Sequence, residues 1–113
     1  MLYACFNPRR LAWKFGYAVD AQARVADLVC IPFSMCEGTR DDERSIHRHL
    51  DPHAIGNEYF LNVAGVVEFV AWMMRDSESA LEFARAHPKC EQPLHIRESN
   101  RMRRHTLATK GAV

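Results

Sequence analysis

The chain has 113 residues, enough for one domain and too few for an eight-fold β/α barrel. With 48% apolar and 26% charged residues it has the composition of a globular protein, which excludes a wholly disordered one. Fifteen Lys and Arg against 14 Asp and Glu leave a formal charge of +1, so no global field draws it to nucleic acid or anionic lipid.

Met1 to Phe6 is apolar, and Arg9 and Arg10 follow. A secretory signal has the reverse order, charge first and a longer apolar run after, so the expected compartment is the reducing cytoplasm. Cys5, Cys30, Cys36 and Cys90 form no Cys-x-x-Cys pair and are expected to be free thiols. Asn7-Pro8 reads as a helix start, with Asn as cap and Pro in the first turn. Leu11, Phe15, Ala18, Gln22, Val25 and Val29 then recur at helical steps, which predicts one long helix over Asn7–Val29. Pro32 closes it. Cys30–Cys36 is short and apolar and reads as a loop over the core or an extended piece; Leu2–Phe6 is a second place for a short extended piece.

Thr39, with Asp42 three residues on and Asp41 and Glu43 beside it, opens a helix that buries Ile46 and Leu50. Asp51-Pro52 and Gly56-Asn57 are turn signals. Glu58–Arg75 is the most hydrophobic segment. Tyr59, Val63, Val66, Val67, Val70 and Met74 form one face of a helix and Leu61 and Trp72 another. A helix apolar all round sits in the middle of something. Its apolar run is too short and too polar for a membrane span, so a buried helix is expected. Few elements of so small a domain can surround it, which points to a homodimer. Asp76-Ser77 caps a last helix over Glu78–His87, and Pro88 ends it. Beyond residue 89 the character changes, and within Leu94–Val113 basic residues accumulate against a single acid, Glu98. The expected fold is therefore all-α: a bundle of about four helices in residues 1–89 around a central hydrophobic helix, then a flexible basic tail over residues 90–113.

Three groups of residues could carry function. Trp13 and Tyr17, four apart on the back of the predicted first helix with Arg24 on the same side, have the chemistry of an interface hot spot. His47, His49 and His53, with Cys36 folded back, could hold zinc. The run His47-Arg48-His49-Leu50-Asp51-Pro52-His53 is one residue off the His-x-His-x-Asp-His pattern of metallo-β-lactamase-like hydrolases, and Pro52 spoils the spacing. Arg97, Arg101, Arg103 and Arg104 could touch phosphates, although the tail has no aromatic residue to stack on bases. Glu68 is expected to face the surface or pair with Arg75. There is no nucleophile elbow and no phosphate loop. The reading that results is a non-catalytic module, without cofactor, that binds and modulates a partner protein. It would act as a homodimer anchored on Trp13, Tyr17 and Arg24, with zinc binding and nucleic-acid binding as the alternatives.

Overall fold

A strand opens the chain, at the place where a short extended piece was expected, and a second strand, not a helix, follows it. The computed structural model describes residues 1–89. Strand β1 spans Leu2–Asn7 and β2 Ala12–Tyr17, paired antiparallel from Leu2↔Tyr17 to Asn7↔Ala12. The Asn7 side chain accepts the backbone N–H groups of Arg9 and Arg10 at 3.0 and 3.2 Å. Asn7-Pro8 thus makes a side-chain-closed turn, using the same hydrogen-bonding chemistry that suits Asn to a helix cap. Helix α1 covers Ala21–Leu28, capped by Asp20. It leads to β3, Ile31–Cys36, which pairs antiparallel with the free side of β1. Helix α2 is Arg40–His49, and a 3-10 turn over Asp51–His53 follows it. Strands β4, Ala54–Gly56, and β5, Tyr59–Leu61, form a hairpin. Helices α3, Ala64–Arg75, and α4, Ser77–Ala86, complete the described chain. The sheet order is β3-β1-β2-β5-β4.

The sheet is covered on both sides, which gives three layers. Leu2, Ala4, Trp13, Phe15 and Phe60 pack against Ile46, Leu50, Val66, Phe69, Val70, Met73 and Leu81 of α2, α3 and α4. On the opposite face Tyr3 and Cys5 pack against Ala21 and Val25 of α1. The Tyr3 ring lies across Gly16, its cross-strand partner, where any Cβ would overlap it. Strand β5 pairs with β2 only along Ala12–Lys14. Beyond that point α2 takes over the outer edge of β2, and the His47 Nε2–H donates to the Phe15 carbonyl at 2.6 Å. A sheet edge left short by one strand is thereby capped by a helix side chain.

The all-α helical bundle expected from sequence is therefore corrected to a mixed α/β fold around a five-stranded antiparallel sheet. The long helix expected over Asn7–Val29 is instead a turn, strand β2 and the short helix α1. The central helix is a strand, a break at Asn62 and Val63, then α3. No helix among the described residues is long and apolar enough to cross a membrane. The predicted tail, residues 90–113, lies outside the described residues.

Candidate functional site

The edge strand β3 carries the most concentrated exposed apolar surface. Ile31 is 49% exposed, Phe33 41%, and Met74 of the neighbouring α3 57%. Phe33 and Met74 line one shallow depression with Cys36, whose rim holds Arg75, Asp76 and Glu78. Val67, also exposed, stands two helical turns before Met74 on the same side of α3. Three features place these residues. Proline is tolerated in an edge strand, where its missing N–H need not break a ladder, so Pro32 lets an apolar segment run along the border of the sheet. The pairing of β1 with β3 shifts register between Ala4 and Cys5, leaving Phe33 as an extra residue in β3. Phe33 then rests edge-on against Trp13, ring centroids 4.9 Å apart.

Trp13 is only 6% exposed. Its ring meets Phe6 as well as Phe33, and its indole N–H donates to Asn62 Oδ1 at 2.9 Å. Tyr17 shares that face of the sheet, half-buried, with the Arg40 guanidinium 5.0 Å from its ring. Arg24 stands on α1, the helix that covers the opposite side of the sheet, where burial pushes the Tyr3 hydroxyl above its ordinary value and Arg24 draws it part of the way back. The three predicted anchors are therefore not brought together. Trp13 and Tyr17 stand on a strand, not on the back of a helix, and Trp13 supports Phe33 from beneath.

The zinc candidates are also dispersed. His47 is bonded to Phe15, and His49 Nδ1–H donates to the His87 carbonyl at 2.7 Å. His53 is the buried last residue of the 3-10 turn, and Cys36 lies on β3. Burial pushes the Cys36 thiol above its ordinary value, against a lowering contact from Ser77. Among the described residues no group of three or more His, Cys, Asp or Glu side chains is placed to hold a metal ion. Arg97, Arg101, Arg103 and Arg104 lie outside the described residues.

One polar array was not anticipated. Lys14, 5% exposed in the middle of β2, donates from Nζ to Glu58 Oε2 at 2.9 Å. The ammonium also stands 5.1 Å from the centre of the Tyr59 ring, which Arg10 approaches at 4.7 Å. The Tyr59 hydroxyl accepts from Asn7 Nδ2 at 3.1 Å. Glu58 and Asn57 form the two-residue turn of the β4–β5 hairpin, with φ of 66° and 53°. Both central residues of such a turn need positive φ, which glycine or Asn adopts easily and Glu does not. The hydrogen bond from Lys14 holds the Glu58 carboxyl below the ordinary carboxylate range, with burial opposing. Substituting Glu58 separates the two effects. Glu58→Ala keeps the strain and leaves the ammonium without its carboxylate, with an expected cost of about 1–2 kcal/mol, the half-exposed position of Glu58 screening the loss. Glu58→Gly also relieves the turn and is expected to melt higher than Glu58→Ala by urea denaturation. Equal stability of the two variants would show that the turn stores no strain.

No protein-family model, no curated protein and no solved structure matches the chain.

Proposed function

We propose that the protein is a non-catalytic interaction module that acts as a homodimer and covers a partner's surface. The observation that carries this reading is the apolar surface of Ile31, Phe33 and Met74 on a sheet edge, supported from below by Trp13. Exposed apolar surface gathered in one place marks an association site more often than isolated apolar residues do. A second copy of the chain is the occupant favoured by charge. The rim holds both signs, Arg75 beside Asp76 and Glu78, so it is self-complementary in charge, as a contact between two copies about a two-fold axis requires. Pro32 removes a backbone donor from β3, so the contact rests on side-chain packing and not on an added strand.

Sedimentation velocity of the full chain at micromolar concentrations tests this. The native protein is expected to be dimeric. Phe33→Glu and Met74→Glu, each placing a carboxylate in the contact, are expected to be monomeric with folded circular-dichroism spectra. A native protein that stays monomeric at all concentrations overturns the proposal, and so does a dimer that survives both substitutions. Met74 is the safer site, because it is more exposed and its loss leaves the Phe33–Trp13 contact in place.

A further inference from the structure

The face of the sheet under α1 gathers sulfur. Cys5 of β1 is fully buried there beside Tyr3, Ala21 and Val25, and Cys30 and Met35, partly buried, pack against the same cluster. Strand register explains the gathering. Met35 stands opposite Tyr3 and Pro32 opposite Cys5, so Cys30, two residues before Pro32, falls on the same face one position further along. Met35 and Cys30 thus flank Cys5 from its two ends. The backbone is strained to bring Cys30 in. Val29 takes the left-handed conformation, φ 54° and ψ 43°, which a β-branched residue rarely adopts, and the Cys30 N–H closes back on the Val25 carbonyl at 3.4 Å. The Cys30 thiol then donates weakly to the Leu28 carbonyl at 3.6 Å. Burial pushes the Cys5 thiol up to about 12, the neighbouring Cys30 thiol pushes the same way, and Lys14, its cross-strand partner on β2, opposes. A thiol so raised is no nucleophile at neutral pH, but a soft metal ion displaces its proton outright.

We propose that Cys5 and Cys30 bind one copper(I) ion as a dithiolate, with the Met35 thioether as a weaker third donor. The class follows from the donors. Thiolate and thioether sulfur select copper(I). Structural zinc takes four ligands, and among the described residues no third His, Cys, Asp or Glu joins the pair. Each thiol releases its proton as its sulfur binds, and copper stays in the +1 state throughout. Two thiolates and one copper(I) leave a single negative charge, which the ammonium of Lys14, cross-strand from Cys5, offsets. The site lies on the opposite side of the sheet from the Phe33–Trp13 contact, so it stands or falls independently of dimerisation.

Copper(I) alone is the probe. It is titrated anaerobically into the reduced full chain against a chromogenic copper(I) chelator and followed by the ultraviolet thiolate-to-copper band. One ion per chain is expected, held more weakly as the pH falls, because protons compete for both thiolates. Cys30→Ser is expected to lower the affinity about a hundredfold, and Met35→Leu, which conserves volume, about tenfold. Cys90→Ser is expected to leave it unchanged. Cys30 and Met35 are only partly buried, so both variants are expected to keep the native circular-dichroism spectrum. Copper(I) affinity unchanged in Cys30→Ser or in Met35→Leu overturns the three-sulfur site. Zinc(II) held as tightly as copper(I) overturns the choice of a soft ion, and with it the proposal.

Discussion

Trp13→Ala is expected to remove about 3–5 kcal/mol of stability, the range for deleting a large buried aromatic side chain. The site offers little room to recover. The ring is held on two sides by Phe6 and Phe33, and its indole N–H is bonded to Asn62 in the short link between β5 and α3. Removing the ring opens a cavity under the β3 edge and leaves the Asn62 amide without its donor. Domains of this size have a total stability of about 5–15 kcal/mol, so the variant is expected to be partly unfolded at ambient temperature. Trp13→Phe retains most of the packing and loses the hydrogen bond, for about 1 kcal/mol. Urea unfolding followed by circular dichroism separates the two. A Trp13→Ala protein as stable as the native one would show that the ring is not core and would restore it as a surface anchor. Because Phe33 rests on Trp13, dimerisation is expected to weaken in Trp13→Ala beyond the loss due to unfolding.

The same residue shows why the fold was only partly legible. Trp13 and Tyr17 are four apart and Leu11, Phe15 and Ala18 fall at helical steps, yet all of them belong to the one strand β2 and the links that flank it. A strand that faces solvent on one side alternates, and its period of two is visible. Strands β1 and β2 are covered on both sides, by α1 and by α2 to α4, so Leu2 through Cys5 and Ala12 through Gly16 are all buried. Their sequences then read as apolar runs without a period. Asn7-Pro8 compounded this, because an Asn side chain that bonds backbone N–H groups two and three residues on serves a turn or a helix cap alike. In Glu58–Arg75 the apolar run crosses from a strand to a helix, and Asn62 is the one polar break between them. Where a helix lies on the outer layer its ends are plain in the sequence. Thr39 and Asp42 bond each other's backbone N–H groups at the start of α2, and Asp76 caps α4.

The candidate sites were less legible, for a different reason. Phe33, Ile31 and Met74 are ordinary apolar residues, and only the position of β3 at the border of the sheet leaves them uncovered. The nearest signal in the sequence was an apolar heptapeptide around Pro32. Lys14 could have been found as the one charge in an otherwise apolar stretch, Ala12 to Tyr17, which requires a partner. That the partner is Glu58 depends on strand pairing between β2 and β5, a contact of long sequence separation. Six histidines are plain in the sequence. The roles of His47 and His49, capping a strand edge and tying α2 to the end of α4, depend on which ring nitrogen is occupied and by which carbonyl.

Asp42→Ala is expected to cost about 2–4 kcal/mol, because one carboxylate does two jobs. Its Oδ2 accepts the Thr39 N–H at 3.0 Å, half of the reciprocal cap at the start of α2. Its Oδ1 accepts two N–H groups of Arg85, at 2.9 and 2.6 Å, and so ties α2 to α4. A lost cap costs about 1 kcal/mol and a lost hydrogen bond to a charged group about 1.5–3. The carboxylate is 11% exposed, so its attraction to Arg85 is not screened as a surface pair is, although Arg85 itself is half-exposed. Burial pushes the Asp42 carboxyl up, but Arg85 and Thr39 together outweigh it and hold it below its ordinary 3.8. The unfolded chain then takes up its proton at a higher pH than the folded one. This contribution is complete above about pH 5 and is lost as the pH falls below 3.8 through the folded value. Glu58, lowered by Lys14, adds loss in the same acid range, starting from 4.5. His49 acts earlier: its lowered value means that stability falls as the pH drops from 6.5, where the unfolded imidazole begins to charge and the buried one does not. Urea midpoints measured from pH 8 to pH 3 are therefore expected to decline in two stages. Asp42→Asn keeps the shape and an acceptor for the cap but loses the charge. It is expected to be intermediate in stability at neutral pH and to have a shallower acid stage than the native protein. An acid stage of unchanged depth in Asp42→Asn would place the proton uptake on other carboxylates and reduce Asp42 to a helix cap.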